Sequence, residues 1–200
     1  MKTKKLAAVV VAIGALLGIL FFVIGQKQSP EYIYISASWI YGYADVADLT
    51  VHSDIIALIH VNELDSSQGG KAPSSIYSVT VKEGLLGCES GDELHIFMSG
   101  ARVDNQIYET TTDPLMQKNQ EFLIFAQKNA DGTCTVLGGP QGRLLYKNGK
   151  VNSLHNTTLP HVNRMSATTE EASRYEGIVD VLNQSYDEIK AEIQENLPVP

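Results

Sequence analysis

The residues that could form a catalytic triad stand next to one another, at His52, Ser53 and Asp54. In a triad, serine passes its proton to histidine, and aspartate orients that histidine from the other side of the ring. Consecutive residues of an extended segment point to opposite faces, so these three cannot relay a proton among themselves. Ser53 and Asp54 are better interpreted as residues that cap or turn the chain between two elements. Because the sequence also lacks GxSxG and SxxK motifs, we expect no catalytic residue and no enzymatic activity.

Metal and phosphate binding find little support in the sequence. The acidic turn at Glu89, Asp92 and Glu93 departs from the pattern of calcium-binding loops, and we interpret it as a solvated turn. Residues 138–142 lack the Lys-Ser/Thr pair and the helix that a phosphate-binding loop requires. The histidines show no HExxH or other close ligand spacing; they are His52, His60, His95, His155 and His161. We therefore expect no metal ion and no cofactor.

The two cysteines, Cys88 and Cys134, leave two alternatives open. Outside the cytoplasm they can form a disulfide, which would close a loop of about 45 residues and stabilise the fold by roughly 4 kcal/mol. They can instead remain small, partly buried thiols, since spacing alone does not bring two side chains together. Neither lies in a CxxC pair, so the sequence indicates neither a redox motif nor a structural zinc site.

Aromatic residues are concentrated before the main domain. The only tryptophan, Trp39, alternates with Tyr41 and Tyr43, shortly after Tyr32 and Tyr34. Such alternation suits extended segments. The rings could lie in the headgroup belt of a membrane or form a stacking surface for a sugar or peptide, and packing beneath the domain is an equal alternative. We take Trp39, Tyr41 and Tyr43 as the candidate binding residues, acting as a stacking or interface surface.

The compartment of all these residues depends on the N-terminal segment. Residues 6–25 carry no charge, follow a tail with three lysines, and match the roughly twenty helical residues that a bilayer requires. Positive residues stay on the cytoplasmic side, so residues 1–5 are expected to be a cytoplasmic tail and the C-terminal part to face outward. The expectation is one transmembrane signal-anchor and a single-pass protein of the cell membrane. Cleavage after this segment is the alternative, and it would make the protein secreted.

The part beyond the anchor is acidic, with 12 Lys and Arg against 23 Asp and Glu. Phosphate binding needs a basic surface, so we expect no nucleic acid among the partners. Residues 26–44 are expected to be an aromatic-rich juxtamembrane segment. The remaining residues suffice for one domain with its own core.

Residues 45–151 have the patterns of a β domain. A short helix is expected at residues 45–51, and Asn148-Gly149 predicts a type I′ hairpin. The polar, aperiodic residues 99–120 predict a long exposed loop that is either functional or mobile. Apolar runs and alternation predict strands at residues 55–64, 76–81, 94–98, 121–127 and 133–137.

Residues 152–200 are expected to be a linker and an amphipathic helix. Thr168, Thr169, Glu170 and Glu171 match a capping box. From there to Ile193 apolar residues recur at spacings of three and four, which predicts a helix with one face packed on the sheet.

Several short segments occur in a distinctive order. They are Ser53-Asp54, residues 77–81 (YSVTV), 84–87 (GLLG), Gly91-Asp92, residues 122–125 (FLIF) and Gly138-Gly139. This order resembles the five-stranded OB-like Greek-key barrel of netrin and tissue-inhibitor-of-metalloproteinase modules, as in surface-anchored bacterial proteins. The resemblance covers residues 45–151 and implies a mainly β fold. Those inhibitors reach a protease zinc through a Cys at a free N-terminus; no Cys lies near the start of this domain, so we carry over no functional residue.

The expected function is a non-enzymatic binding or interaction module outside the cell, for an extracellular protein or glycan. Small OB barrels bind ligands on one sheet face and the loops around it. Residues 99–120 and the aromatic segment are therefore the expected contact surfaces. The alternatives are a secreted or anchored inhibitor of an extracellular hydrolase and, with less support, a hydrolase.

Overall fold

A computed structural model of the chain describes residues 29–36, 42–110, 112–154 and 181–198. The chain divides into two units, residues 1–31 and 32–200, and the fold described is that of the second. Among the helices of the described ranges, none has the length and apolar character needed to cross a membrane. The expected anchor at residues 6–25 lies outside the described residues.

The described residues are mainly β, as the sequence predicts. The two helices are α1 (Val46–Val51) and α2 (Tyr186–Asn196). The strands are β1 (Glu31–Tyr34), β2 (Ile55–Gln68), β3 (Ser74–Leu86), β4 (Glu93–Ser99), β5 (Ala101–Val103), β6 (Gln106–Glu109), β7 (Glu121–Lys128), β8 (Cys134–Val136), β9 (Arg143–Lys147), β10 (Lys150–Ser153) and β11 (Gln184–Ser185).

Five of the strands close into a barrel. Strands β7, β2, β3 and β4 are neighbours in an antiparallel series. The short strand β8 completes the ring, because it pairs parallel with β4 and antiparallel with β7. This closed barrel is compatible with the predicted OB-like fold. Strands β9, β10 and β11 extend the sheet from β7, and β1, β6 and β5 form a separate three-stranded sheet.

Strand β3 illustrates how the sequence builds the barrel wall. Tyr77, Val79 and Val81 are buried in the barrel interior, while Ser78 and Thr80 alternate with them and point to the outer face. The pairing of β2 with β3 is interrupted by four register shifts. Such bulges bend and twist the strands, which allows two long strands to curve around a closed barrel.

The hydrophobic residues form two clusters, one on each side of the barrel wall. The interior cluster includes Ile59, Val79, Ile96 and Ile124. The outer cluster lies where α1 and α2 pack on β2, β7, β9 and β10. Burying two apolar surfaces stabilises the barrel and also fixes the position of both helices.

The C-terminal helix is present but shorter than predicted. Residues 181–185 are not helical: Asn183 has a φ of 53°, and Ser185 pairs with Lys150 in the sheet. The prediction that the helix runs through Leu182 is therefore wrong. Helix α2 begins at Tyr186, where Glu188 accepts the backbone N–H of Ser185 at 3.3 Å. The capping box expected at residues 168–171 lies outside the described residues.

The predicted irregular loop at residues 99–120 is also corrected. It contains the hairpin of β5 and β6, and its apolar residues are packed on the interior cluster rather than exposed. These residues are Ile107, Leu115 and Met116. The hairpin predicted at Asn148-Gly149 is confirmed, since both residues have positive φ, as a type I′ turn requires.

Candidate functional site

The outer side of β2, β3 and β4 carries a continuous set of polar side chains. The pairing register places Ser78 opposite His95 and Thr80 opposite Glu93. Asn62 lies beside them, at a bulge of β2. We call these five residues, Asn62, Ser78, Thr80, Glu93 and His95, the polar face.

Hydrogen bonds connect four of these side chains into one network. The Asn62 amide donates to Thr80 Oγ1 at 2.9 Å and to Ser78 Oγ at 3.2 Å. The Ser78 hydroxyl donates to Glu93 Oε1 at 2.9 Å, and Thr80 Oγ1 lies 3.1 Å from Asn62 Oδ1. Each contact restricts the rotamers of the two side chains that make it. A ligand that binds here would therefore meet groups that are already oriented, which lowers the entropic cost of binding.

Two histidine–carboxylate pairs flank the network. His95 Nδ1 lies 2.8 Å from Asp65 Oδ2. On the other side His60 Nδ1 lies 3.5 Å from Glu121 Oε1, which also accepts a hydrogen bond from Lys82 Nζ at 2.7 Å. Carboxylates outnumber cationic side chains here, so the surface suits a neutral or hydroxyl-rich ligand better than a phosphate-bearing one.

An aromatic ring lies next to the polar face. Phe97 follows His95 by two residues on the same side of β4, and it pairs with Ile76 on β3. The Phe97 side chain is 37% exposed, which makes it one of few large hydrophobic residues exposed in the described part of the chain. An apolar ring beside oriented polar groups can contact a ligand that has both an apolar and a polar side.

A second polar cluster is buried at the end of the barrel interior. Arg143 on β9 is 1% exposed, and its Nη2 donates to Asp113 Oδ1 at 2.5 Å and to the carbonyl of Pro114 at 2.6 Å. Its guanidinium carbon lies 5.0 Å from the centroid of the Phe122 ring, and Nη1 lies 3.7 Å from Met98 Sδ. These contacts hold the segment after β6 against the barrel.

The electrostatics of this cluster follow from its burial. Burial raises the pKa of Asp113, while the positive charge and hydrogen bond of Arg143 oppose that rise. Burial likewise raises the pKa of Tyr77, against the charges of Arg102 and Arg143. A paired, enclosed arrangement of this kind serves to position a segment, and we assign it a structural role.

The aromatic residues proposed for binding are placed only in part. Trp39 and Tyr41 lie outside the described residues. Tyr43 is 7% exposed and belongs to the outer cluster, with its backbone N–H donating to Gln141 Oε1 at 2.8 Å. The centroids of the Tyr43 and His52 rings lie 5.7 Å apart, and the rings are in a T-shaped arrangement. The stacking or interface role of Trp39, Tyr41 and Tyr43 stays a prediction.

The three adjacent residues His52, Ser53 and Asp54 have separate local partners. His52 Nδ1 lies 2.8 Å from the carbonyl of Asp48, and Ser53 Oγ donates to the carbonyl of Leu49 at 2.7 Å. Asp54 Oδ2 accepts the backbone N–H of Lys128 at 3.0 Å. They end α1 and attach the start of β2 to β7.

The acidic turn is divided between two elements. Asp92 Oδ2 accepts the backbone N–H of Glu89 at 2.9 Å, which closes the turn, whereas Glu93 belongs to β4 and to the polar face. Within the described ranges, no group of three or more His, Cys, Asp or Glu side chains is arranged to hold a metal ion. His155 and His161 lie outside those ranges.

The two cysteines are free thiols in this structure, with Cys134 buried and Cys88 half-buried. Burial is the main cause that raises the pKa of the Cys88 thiol to about 11, and it also raises the pKa of Cys134. Both thiols are therefore protonated at neutral pH.

The polar face is not among the sites predicted from the sequence. A signal for it existed, because Ser78 and Thr80 on β3, and Glu93 and His95 on β4, each recur with the period of two that places side chains on one face. The contribution of Asn62 depends on a bulge, which alternation does not indicate.

Comparisons with known proteins leave the family open. No protein-family model matches the chain, and no curated protein sequence matches it significantly.

Proposed function

We propose that the chain is a non-enzymatic binding module at the cell surface, and that the polar face is its contact surface. The observation that carries this proposal is the network of Asn62, Ser78, Thr80 and Glu93, held in one orientation on a closed barrel. Small barrels of the OB type bind ligands on the corresponding sheet face. In this account the N-terminal apolar segment, residues 6–25, tethers the barrel to the membrane, with the barrel outside.

Among the possible ligands, the arrangement favours a glycan. A sugar ring has hydroxyl groups at its edge and an apolar face of C–H groups. The polar face offers amide, hydroxyl, carboxylate and imidazole groups for the hydroxyls, and Phe97 offers a ring for the apolar face. The excess of carboxylates nearby disfavours nucleic acid.

The proposal is tested by binding of the full chain, kept in a mild detergent, to an array of defined immobilised oligosaccharides. Glu93→Ala removes a charged acceptor, and hydrogen bonds to charged groups contribute about 1.5–3 kcal/mol, so we expect binding to weaken roughly ten- to a hundredfold. Asn62→Ala should weaken binding through loss of the network. Lys150→Ala, an exposed change on β10, is the matched control and should bind as the parent chain does.

The outcomes separate the alternatives. If glycans bind and neither Glu93→Ala nor Asn62→Ala weakens that binding, the polar face is not the contact surface. If no oligosaccharide binds, a protein ligand becomes the alternative, and its contacts should still map to the polar face.

Inhibition of an extracellular hydrolase is the second candidate function. It rests on the resemblance to netrin and tissue-inhibitor-of-metalloproteinase modules, and the closed five-stranded ring is compatible with that shape. Such an inhibitor would use a loop rather than an N-terminal Cys. The full chain should then lower the activity of at least one member of a panel of extracellular proteases and glycosidases, and a uniformly inactive result would count against it.

A further inference from the structure

The two cysteines lie at the point where the barrel closes. Cys134 is on β8, where it pairs with Ile96 of β4 and with Lys128 of β7. Cys88 follows the end of β3, and its side chain packs against the interior cluster that contains Cys134. The two thiols are 46 positions apart in sequence, and each belongs to this interior cluster or packs against it.

Lys128 connects the two positions. It pairs with Cys134 in the ladder of β7 and β8, and its ammonium donates to the carbonyl of Gly87, the residue before Cys88, at 3.1 Å. The Lys128 charge lowers the pKa of both thiols, against the larger effect of burial, and a charge on Cys134 raises the pKa of Cys88. The pairing of Lys128 with Cys134 and its hydrogen bond beside Cys88 place the two cysteines at the same end of the barrel.

We propose that Cys88 and Cys134 form an intramolecular disulfide that fastens the end of β3 to the closing strand β8. Only a few residue pairs hold β8: two with β4 and three with β7. A covalent link at Cys134 would keep this short strand in the ring. In the structure both thiols are free, and the Cys88 S–H donates to the carbonyl of Leu86 at 3.6 Å.

The oxidant is a small disulfide, for which oxidised glutathione is the probe. One protein thiolate attacks a glutathione sulfur, breaks the S–S bond and expels a glutathione thiolate, leaving a mixed disulfide. The second protein thiolate then attacks the protein sulfur of that mixed disulfide and expels the other glutathione. Two protein thiols are oxidised, one glutathione disulfide is reduced to two thiols, and the two protein protons end on the leaving thiolates.

The rate of this exchange should depend steeply on pH. Because the pKa of Cys88 is raised to about 11, only a small fraction is thiolate at neutral pH. Where Cys88 is the attacking thiol, the rate in the folded chain should rise about tenfold for each unit of pH between roughly 7 and 10.

The test measures the equilibrium between reduced and oxidised protein in mixtures of reduced and oxidised glutathione, with the full chain in detergent. Free thiols are trapped by alkylation, and the cross-link is identified by mass spectrometry of non-reduced peptides. The same measurement is made in concentrated urea. A fold that brings the thiols together should make the equilibrium constant for the Cys88–Cys134 cross-link at least tenfold larger in buffer than in urea.

Because the wild-type chain is compared in buffer and in urea, the test does not depend on whether any variant folds. Cys88→Ser and Cys134→Ser serve as controls, and each should give only the mixed disulfide with glutathione. The oxidised wild-type chain should also melt at a higher temperature than the reduced chain. An equilibrium constant in buffer equal to or below that in urea would overturn the proposal, as would cross-links that form only between chains.

Discussion

The outer surface of the barrel has two halves, and they are built in opposite ways. On β2 and β7, and on β9, which extends the sheet from β7, one side is apolar and buried beneath α1 and α2; its residues include Ile56, Leu58, Leu123, Phe125 and Leu144. We call this the covered half. The other half carries the polar face, on β3 and β4 with Asn62 of β2, and four of its five side chains hydrogen-bond to one another.

The difference shows how one barrel can combine a stabilising apolar layer on one side with a hydrogen-bonded polar surface on the other. The covered half contributes the burial of apolar area, which needs the helices as a second layer. In the polar face Ser78 is buried, Asn62 and Thr80 are partly exposed, and Glu93 and His95 are exposed. Its side chains are hydrogen-bonded, so they need no apolar layer above them. The partner that we propose could therefore dock there without displacing either of the two helices that the structure describes.

The largest loss of stability should come from a substitution in the barrel interior, on which both halves of the outer surface rest. Arg143→Met removes the partner of the buried Asp113 carboxylate, and breaking a buried ion pair costs about 3–5 kcal/mol. We expect the free energy of unfolding, measured by urea denaturation, to fall by that amount. Adding Asp113→Leu removes the unpaired charge and should restore part of the loss. A double variant less stable than Arg143→Met would show that the charge is not the cause.

A smaller loss should follow when only the covered half is changed. Ile189 on α2 is fully buried in the outer cluster, so Ile189→Ala should lower the free energy of unfolding by about 2–5 kcal/mol. Gln194→Ala, at an exposed position of the same helix, is the control and should change it by less than about 0.5 kcal/mol. Binding by the polar face should survive under conditions in which the Ile189→Ala chain is folded; lost binding would mean that the two halves are coupled.

The smallest change in stability should come from loss of a surface contact that attaches α2 to β3. Lys190 and the Tyr186 hydroxyl both donate to the carboxylate of Glu83, and these hydrogen bonds lower the pKa of Glu83 below its ordinary value of 4.5. The stabilisation is present above that ordinary pKa and is lost as the pH falls through the lower value of the folded chain. Because the groups are partly exposed, the contribution is small.

This contact is checked by melting temperatures of the parent chain and Glu83→Gln. The parent chain should be slightly more stable near pH 7, and the difference should shrink between about pH 5 and pH 3. A difference that grows on acidification would contradict the assigned direction of the pKa shift.

The sequence was sufficient to predict those parts of the fold that show a short repeat. Alternation over residues 76–81 predicted a strand, and the structure buries Tyr77, Val79 and Val81 on one face of it. Asn148-Gly149 predicted the turn of a separate hairpin, which joins β9 to β10. The segment 99–120 was misinterpreted because its buried residues, such as Ile107 and Leu115, have no common period. They are buried by contact with strands distant in sequence, and such contacts leave no local pattern.

The site was harder to predict than the fold, for a related reason. Which residues of β2, β3 and β4 become neighbours depends on strand register, and the bulge that places Asn62 beside Thr80 is a property of the paired strands. Arg143 shows the converse, since an arginine in a strand is ordinarily expected at the surface. Its burial depends on Asp113 and Pro114, which are about thirty residues away.

The assignment of the polar face as the contact surface is tested most directly by photo-cross-linking of the full chain in the cells that produce it. A diazirine-bearing residue is placed either at Phe97, beside the polar face, or at Lys147, an exposed position on β9. A diazirine inserts into proteins and glycans alike, so the ligand need not be known. We expect adducts of higher mass from position 97, weakened by Asn62→Ala, and none from position 147. Equal adducts from both positions, or adducts from position 147 alone, would contradict the assignment of the polar face as the contact surface.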